Sequence, residues 1–384
     1  MTKAIYAFSG DPITYGHIDV VERASKAFDK VIVGIGVNPK KDYMFSLEER
    51  TRLANKSLAH IKNAEITPFQ GLLVDYAYEQ NIPFVVKGIR NAADADYEQN
   101  LDQHNKAHNL GIDTLTFYAR PELAHISSSA VKKIQKEQGL IDRYVPLCVK
   151  QALEERISGQ YILGLTGEIG AGKSYIGKEF EKLAKERNIP LHNIELDHIG
   201  HQILGELKEP RYQEVRKTII ENFGNNIKNS DGTINRKALG EIVFTNPNEL
   251  TKLNDIMYTP LMVRLRRELY GKNGLILFNA ALLAESDMAY LSNNNVLLVN
   301  ANQQSQERRL KERDLNPNQI KTRLASQYDF NQKKKKLEDK TQRDNQGKVW
   351  VVNNSDDSDP KNITNAFNEI TEELLIDRTL LDAK

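Results

Sequence analysis

Cysteine is almost missing from this chain. The 384 residues include one, Cys148, which rules out an internal disulfide, a cysteine-rich zinc site and a thiol redox pair. An excess of either charge is also missing: Lys+Arg 53 against Asp+Glu 52 leaves +1, so global charge gives no basis for nonspecific nucleic-acid binding, though a local basic patch stays open. Long hydrophobic runs are absent too. The mainly apolar stretch Asn273 to Ala284 falls well short of the ~20 residues of a membrane helix. One lysine and a brief apolar run precede Asp11, which is no signal peptide. No short-period repeat suggests a solenoid. What is present is 40% hydrophobic and 27% charged residues, enough for ordinary cores and solvated surfaces. At roughly 150 residues per domain the length suggests two or three domains. The expectation is a cytoplasmic, multidomain α/β enzyme with no membrane or nucleic-acid partner.

Short apolar runs alternate with amphipathic segments. Ala4 to Phe8, Val31 to Val37, Pro83 to Val86 and Thr114 to Tyr118 read as buried strands. Helical patterns lie between and after them, near 17–28, 46–60, 71–80, 93–109 and 127–138. That alternation means βαβ units and a parallel sheet. The rhythm restarts at Tyr161 to Thr166, followed by a glycine-rich turn into a helix, with further strands at 275–279, 295–299 and 348–352 and a closing helix near 360–376. The restart puts a boundary at Ser158-Gly159, giving domains 1–158 and 159–384, each a doubly wound parallel sheet. Neither half is a charged arm: the first holds 20 basic and 20 acidic residues, which leaves 33 and 32 for the second.

In the first half, a strand leads through Ser9-Gly10-Asp11-Pro12-Ile13-Thr14-Tyr15-Gly16-His17 into a helix. Such a turn receives phosphate, because free N–H groups and the helix dipole point at it. His17 could donate to a triphosphate or to charge developing during its cleavage; the plain alternative is that it caps or packs its own helix. Lys40-Lys41, Lys87-Gly88-Ile89-Arg90 and Ile126-Ser127-Ser128-Ser129 fall where loops gather at the carboxyl edge of the sheet. The serines can equally be N-caps. Taken together, these segments offer the several cations and donors that a triphosphate requires.

These residues, with Met44 to Arg50, Asp96-Tyr97-Glu98 and the motif DPITYGH, resemble phosphopantetheine adenylyltransferase over nearly all of 3–157. The resemblance implies adenylyl transfer from ATP to 4'-phosphopantetheine, releasing pyrophosphate and dephospho-coenzyme A. It implies that His17 stabilises the transition state, that Lys41 with Ser9 holds the attacking phosphate, and that Leu73 lines the pantetheine channel. It further implies that Arg90 binds ATP phosphates, that Ser9, Gly10, Gly88, Ile89 and Glu98 help bind the nucleotide, and that Leu123, Ala124, His125, Ile126, Ser127, Ser128 and Ser129 contact it as well. Lys87 stands where the family usually has arginine, turning a bidentate clamp into a point charge. The family's glycine-hydroxyl-phenylalanine order ahead of Asp-Pro becomes Phe8-Ser9-Gly10. Relatives commonly form hexamers, so a homo-oligomer through this domain is implied, which an appended half could preserve or block.

In the second half, Gly167-Glu168-Ile169-Gly170-Ala171-Gly172-Lys173-Ser174 satisfies G-x-x-x-x-G-K-[ST] between a strand and a helix. The backbone from Gly167 through Tyr175 would cradle ATP, Lys173 would reach the β/γ oxygens, and Ser174 would ligate Mg2+. Ile194 to Ile199, Asp231-Gly232-Thr233, Arg236, Leu239, Pro260-Leu261, Leu282-Leu283-x-Glu285, Arg309, Arg313-Asp314 and Val352-Asn353-Asn354 resemble dephospho-coenzyme A kinase over roughly 160–375. The resemblance makes Asp197 the base for the ribose 3'-hydroxyl; alone it could be a helix N-cap. Glu168 replaces a glycine and puts a carboxylate near bound phosphates. Glu195, His201, Thr259 and Ala281 also depart from the family's pattern. Residues 305–345 carry 12 basic and 7 acidic side chains, the make-up of a lid closing on phosphates. The run Lys333 to Lys336 itself reads as a solvated helix face, with Arg309 or Arg313 left to clamp.

The two halves share an intermediate, and the leading reading is one chain performing both last steps of coenzyme A biosynthesis. The runner-up keeps the adenylyltransferase and makes the kinase-like half a nucleotide sensor or assembly module. A third gives the first half another substrate, which the KGIR, Asp-Tyr-Glu and ISSS set opposes.

Overall fold

The computed structural model describes residues 1–107, 110–243, 245–312 and 327–374. The chain divides into two compact units, Met1–Leu153 and Glu154–Lys384. The division falls five residues ahead of the Ser158-Gly159 boundary read from the sequence. The short π-helical turn Glu154–Ser158 runs directly into the first strand of the second unit.

In the first unit β1 (Lys3–Phe8), α1 (Tyr15–Ala27), β2 (Lys30–Gly36), α2 (Leu47–Leu58), β3 (Ala64–Phe69) and α3 (Leu73–Glu79) form one half. The other half is β4 (Phe84–Ile89), α4 (Ala92–Ala107), β5 (Asp113–Tyr118), α5 (Ser128–Lys136) and α6 (Leu147–Leu153). The sheet is parallel, in the order β3-β2-β1-β4-β5. Order reverses between β1 and β4, and the crevice beyond their carboxyl ends is where such sheets bind ligands. Apolar β1 and β2 fill the middle: Ala4, Ile5, Val31 and Val33 are fully enclosed. Strand β3 carries only the alternation AEITPF and stays partly exposed, as suits an edge.

The second unit contains β6 (Gln160–Gly167), α7 (Lys173–Glu186), β7 (Leu191–Glu195), α8 (Leu196–Gly205), α9 (Pro210–Phe223), α10 (Arg236–Val243) and α11 (Pro247–Leu269). It continues with β8 (Gly274–Asn279), β9 (Val296–Asn300), α12 (Gln303–Lys311), α13 (Phe330–Asp344), β10 (Val349–Asn353) and α14 (Lys361–Glu373). Its parallel order is β10-β9-β6-β8-β7. β6 is buried along its whole length, and α7 and α14 cover one face through Ile176, Phe180, Phe367 and Ile370. A central strand enclosed on both faces explains why its sequence is one continuous apolar run. Among the described residues no helix is long and apolar enough to cross a membrane.

Candidate active sites

In the first unit a cleft of roughly 620 Å³ opens at the β1/β4 crevice, lined among others by Phe8, Ser9, Gly10, His17, Lys41, Lys87 and Arg90. Asp11, next to the lining residue Gly10, ties three segments together. Its buried carboxylate accepts the N–H groups of Met44 (3.1 Å) and Phe45 (3.0 Å) and pairs with Lys132 at 2.7 Å. Arg50, 1% exposed, donates to the carbonyls of Ser9 and Gly36 and lies 4.0 Å from the Tyr43 ring centroid. Met44 to Arg50, which the sequence marked only by resemblance, thus braces the ends of β1 and β2.

His17 is both cap partner and cleft residue. The Thr14 N–H donates to its Nδ1 at 3.0 Å, so that nitrogen is an acceptor and the neutral ring carries its proton on Nε2. Phe8 stacks on the ring, with centroids 4.4 Å apart and planes at 16°. Burial, with help from Arg90, lowers the His17 pKa from 6.5 to about 4, leaving a neutral donor at pH 7. The displaced aromatic now has a spatial account. Gly10 has φ +63°, and a Cβ there would lie 3.2 Å from the Phe8 ring, so Phe8 fills the space beside residue 10.

Two of the cleft's cations are occupied by α4. Lys87 pairs with Glu98 at 2.8 Å and Arg90 with Asp94 at 2.8 Å. Among the described residues, Lys41 lines the cleft without an ion pair. Ser127 caps α5 by accepting the Ala130 N–H, and the Ser128 hydroxyl donates to Pro12 O at 2.8 Å. Those two hydroxyls are thereby used structurally, and Ser129 remains exposed at the helix start. Leu123 and Ile126 line the cleft with the serines, as do Gly88 and Glu98. Gly88 has a packing reason as well, since a Cβ would meet Val20 at 3.0 Å. Ile89 is buried in β4. Ala124 is half-buried, and His125 sets its exposed ring edge-on to Tyr144. Leu73 packs against the Ile5, Ile32 and Val85 cluster; these last four stand outside the cleft lining. Thr14, part of the turn read from the sequence, lines the cleft too, whereas Tyr6 and Asp94 line it and escaped the sequence reading. Asp94 and Glu98, one helical turn apart, were the available signal.

The second unit's loop Gly167–Gly172 joins β6 to α7. Gly170 and Gly172 take φ +78° and +93°, and a Cβ on Gly172 would lie 2.2 Å from Asn354 Nδ2, so glycine is required there. Asn354 donates to Ala171 O at 2.8 Å. Lys173 Nζ folds back onto Gly167 O (3.0 Å) and Glu168 O (3.3 Å). Ser174 is exposed in the first turn of α7, and Tyr175 is exposed beside it. The Glu168 carboxylate accepts from Gln306 at 3.0 Å, which holds it on α12. Arg309 is committed behind the loop: it donates to Gly170 O, Ala171 O and Asn354 O and pairs with Asp356. Arg313 lies outside the described residues. Asp197 stands in the first turn of α8, where its Oδ2 accepts the Ala281 N–H at 3.3 Å.

The lysine run is a solvated face only in part: Lys335 is exposed and Lys334 and Lys336 are partly so, but the first of the four turns inward. Lys333 is 0% exposed and pairs with Glu285 at 2.5 Å, and Lys340 is buried against Asp287 at 2.8 Å. Carboxylates on the 281–287 turn supply the partners that let these lysines go inside. Among the described ion pairs of these lysines, that of Lys334 alone stays within its own helix, toward Glu338.

Comparison with known families follows the same division. A dephospho-CoA kinase family model matches residues 161–349, and a cytidylyltransferase-like model matches 9–134. Phosphopantetheine adenylyltransferase from Psychromonas ingrahamii is 43% identical over 153 residues, 40% of this chain and 95% of that protein. The one from Shouchella clausii is 44% identical over 155 residues, 40% of this chain and 98% of that protein. A solved chain from Thermus thermophilus aligns at 22% identity with a TM-score of 0.41, covering 56% of this chain and 98% of its own. By its first unit the chain belongs to the phosphopantetheine adenylyltransferase family, and its second unit matches the dephospho-CoA kinase family.

Proposed function

We propose that the chain acts as a bifunctional coenzyme A synthase, a transferase that consumes ATP twice. In the first unit a phosphate oxygen of 4'-phosphopantetheine attacks the α-phosphorus of ATP. The new P–O bond forms as the bond to the β-phosphate breaks, pyrophosphate leaves with that electron pair, and dephospho-coenzyme A results. Such chemistry needs positioning and charge stabilisation, with no enzyme nucleophile. His17 Nε2–H meets the charge developing on the α-phosphoryl oxygens. Lys41, with Ser9, holds the attacking phosphate. Lys87 and Arg90 take up phosphate once Glu98 and Asp94 yield them, Glu98 then serving the nucleoside end. The N-terminal turn of α5, with Leu123 to Ser129, and the Gly88-Ile89 backbone complete the nucleotide site; Leu73 borders the pantetheine arm.

In the second unit the 3'-hydroxyl of dephospho-coenzyme A attacks the γ-phosphorus of ATP, ADP leaves, and the hydroxyl proton passes to Asp197. Lys173 exchanges its loop carbonyls for β/γ oxygens. Magnesium bound through phosphates and water asks little of a protein, and the exposed Ser174 hydroxyl at the start of α7 fits that demand; the ion supplies neutralisation of phosphate charge. Arg309 holds the loop's shape, while Arg313 is left as the lid arginine. Self-association through the first unit and a cytoplasmic setting belong to the same reading.

The observation that carries it is the repeated arrangement: each parallel sheet ends its central first strand in a glycine-bearing turn into a helix that carries its own candidate donor, His17 in one and Lys173 in the other. The Glu168 carboxylate, turned onto Gln306, removes the main objection to ATP in the second turn. The test is to give the full chain ATP, Mg2+ and dephospho-coenzyme A and follow 3'-phosphorylation by mass. Coenzyme A is the expected product; ATP binding without it would favour a nucleotide sensor.

A further inference from the structure

Of the four consecutive lysines, Lys333 has the most unusual surroundings. Helix α13 starts at a capping box in which the Asp329 side chain accepts the Gln332 N–H, and this sets the next residue, Lys333, against the 281–285 turn. Its side chain is wholly enclosed. Nζ donates to Glu285 Oε1 at 2.5 Å and to Ala281 O at 2.9 Å. Glu285 Oε1 also accepts the Tyr328 N–H at 3.0 Å, so one carboxylate ties both sides of the helix start to the turn.

Ala281 is the joint. Its carbonyl accepts from Lys333 and from Thr166 Oγ1 (3.3 Å), while its own N–H donates to Asp197 Oδ2 at 3.3 Å. The ammonium group and the candidate base therefore grip one residue from its two polar ends. Asp197 and Glu168 are also near enough for their charges to act on Lys333, whose pKa burial lowers and Glu285 raises. Simple attachment of α13 does not require this lysine. Lys336 and Lys340 both reach Asp287, and Lys340 also donates to Asp287 O at 2.8 Å.

We propose that Lys333 is a positioning residue for phosphoryl transfer, which through Ala281 fixes the Asp197 carboxylate where the acceptor hydroxyl must deliver its proton. The inference rests on the kinase reading above and adds to it a residue that touches neither ATP nor acceptor. Phosphoryl transfer depends on alignment, and a misplacement of about 1 Å can cost on the order of 10²-fold in rate.

The test is a double-mutant cycle in the full chain, with variants Lys333→Met, Asp197→Asn and both together, and Lys340→Met as the tethering comparison. Lys333→Met is expected to lower kcat for 3'-phosphorylation on the order of 10²-fold, with KM for ATP little changed and adenylyl transfer retained. Added to Asp197→Asn, it should cost little more, because both variants disable one unit. Lys340→Met should keep kcat near the parent's. If Lys333→Met does not fold, the cycle is run on the Glu285→Gln background, where its removal strands no buried carboxylate. Multiplied losses in the double variant, an unchanged kcat in Lys333→Met, or an equal kcat loss in Lys340→Met would overturn the proposal. A parent chain that phosphorylates no dephospho-coenzyme A would instead fail the kinase reading itself.

Discussion

On the proposed reading, the two units hold their phosphate-binding cations in opposite ways. In the first, cations wait in ion pairs with side chains of α4, Lys87 with Glu98 and Arg90 with Asp94. In the second, cations are bound to the loop's own backbone, Lys173 to Gly167 O and Glu168 O and Arg309 to Gly170 O and Ala171 O. A carboxylate on a helix is a competitor that an incoming phosphate must displace. A carbonyl in the phosphate loop is part of the cradle itself. The first site should therefore be tuned by charge, and the second by backbone shape.

The widest separation of the two comes from single losses in each. Lys173→Ala should remove 3'-phosphorylation while pyrophosphate release continues. His17→Ala should do the converse, with adenylyl transfer down on the order of 10²–10³-fold, the usual cost of one transition-state donor. Paired turnover assays on each variant check both. Near-normal adenylyl transfer by His17→Ala would remove it from the mechanism.

The second contrast is in pH. His17 is neutral above its folded pKa of about 4 and would protonate near 6.5 when unfolded. Its contribution to stability is full above about 6.5, falls as pH drops toward 4, and amounts to about 3 kcal/mol at ~1.4 kcal/mol per unit. Two-stage unfolding curves between pH 7 and 4 should show the first unit losing stability in that window, and His17→Gln should flatten its loss. The sequence alone puts His17 within reach of physiological titration; burial beside Phe8 takes it out of that range.

A smaller effect sharpens the claim about displaceable carboxylates. The Arg90–Asp94 pair is partly exposed, at 42% and 26%, so its worth is at most about 1 kcal/mol. Asp94→Asn should lower KM for ATP in adenylyl transfer by about two- to fivefold, more at low salt. An unchanged or raised KM in titrations at two ionic strengths would count against competition by α4. Smallest of all is Glu168→Gln. Because its carboxylate sits on Gln306, ATP affinity of the second unit should change less than about twofold; tenfold tighter binding by calorimetry would mean that the carboxylate faces the phosphates.

Much of this was legible in the chain, and the gaps have physical reasons. Buried central strands announce themselves because both faces must be apolar, as in β1 and β6. β3 was missed because an edge strand needs only alternation, and Pro68 reads as a breaker. The P-loop was plain, since Gly170 and Gly172 are demanded by backbone φ. Arg309 was read as a lid clamp because charge identifies a phosphate binder without saying whether phosphate or the loop's carbonyls will hold it. The lysine run misled by composition, yet its spacing held a clue: Lys333, Leu337 and Lys340 share one buried stripe of α13. No pattern in the sequence could reveal that Ala281, far away in the chain, would join Lys333 to Asp197.

The central claim is that one chain carries out two successive transfers at separate sites. Its most direct test is product mass after giving the full chain ATP, Mg2+ and 4'-phosphopantetheine, in the parent and in the Lys173→Ala and His17→Ala variants. The account predicts coenzyme A from the parent and dephospho-coenzyme A alone from Lys173→Ala. His17→Ala should give almost nothing from 4'-phosphopantetheine but should make coenzyme A from supplied dephospho-coenzyme A. A parent chain that stops at dephospho-coenzyme A would contradict it.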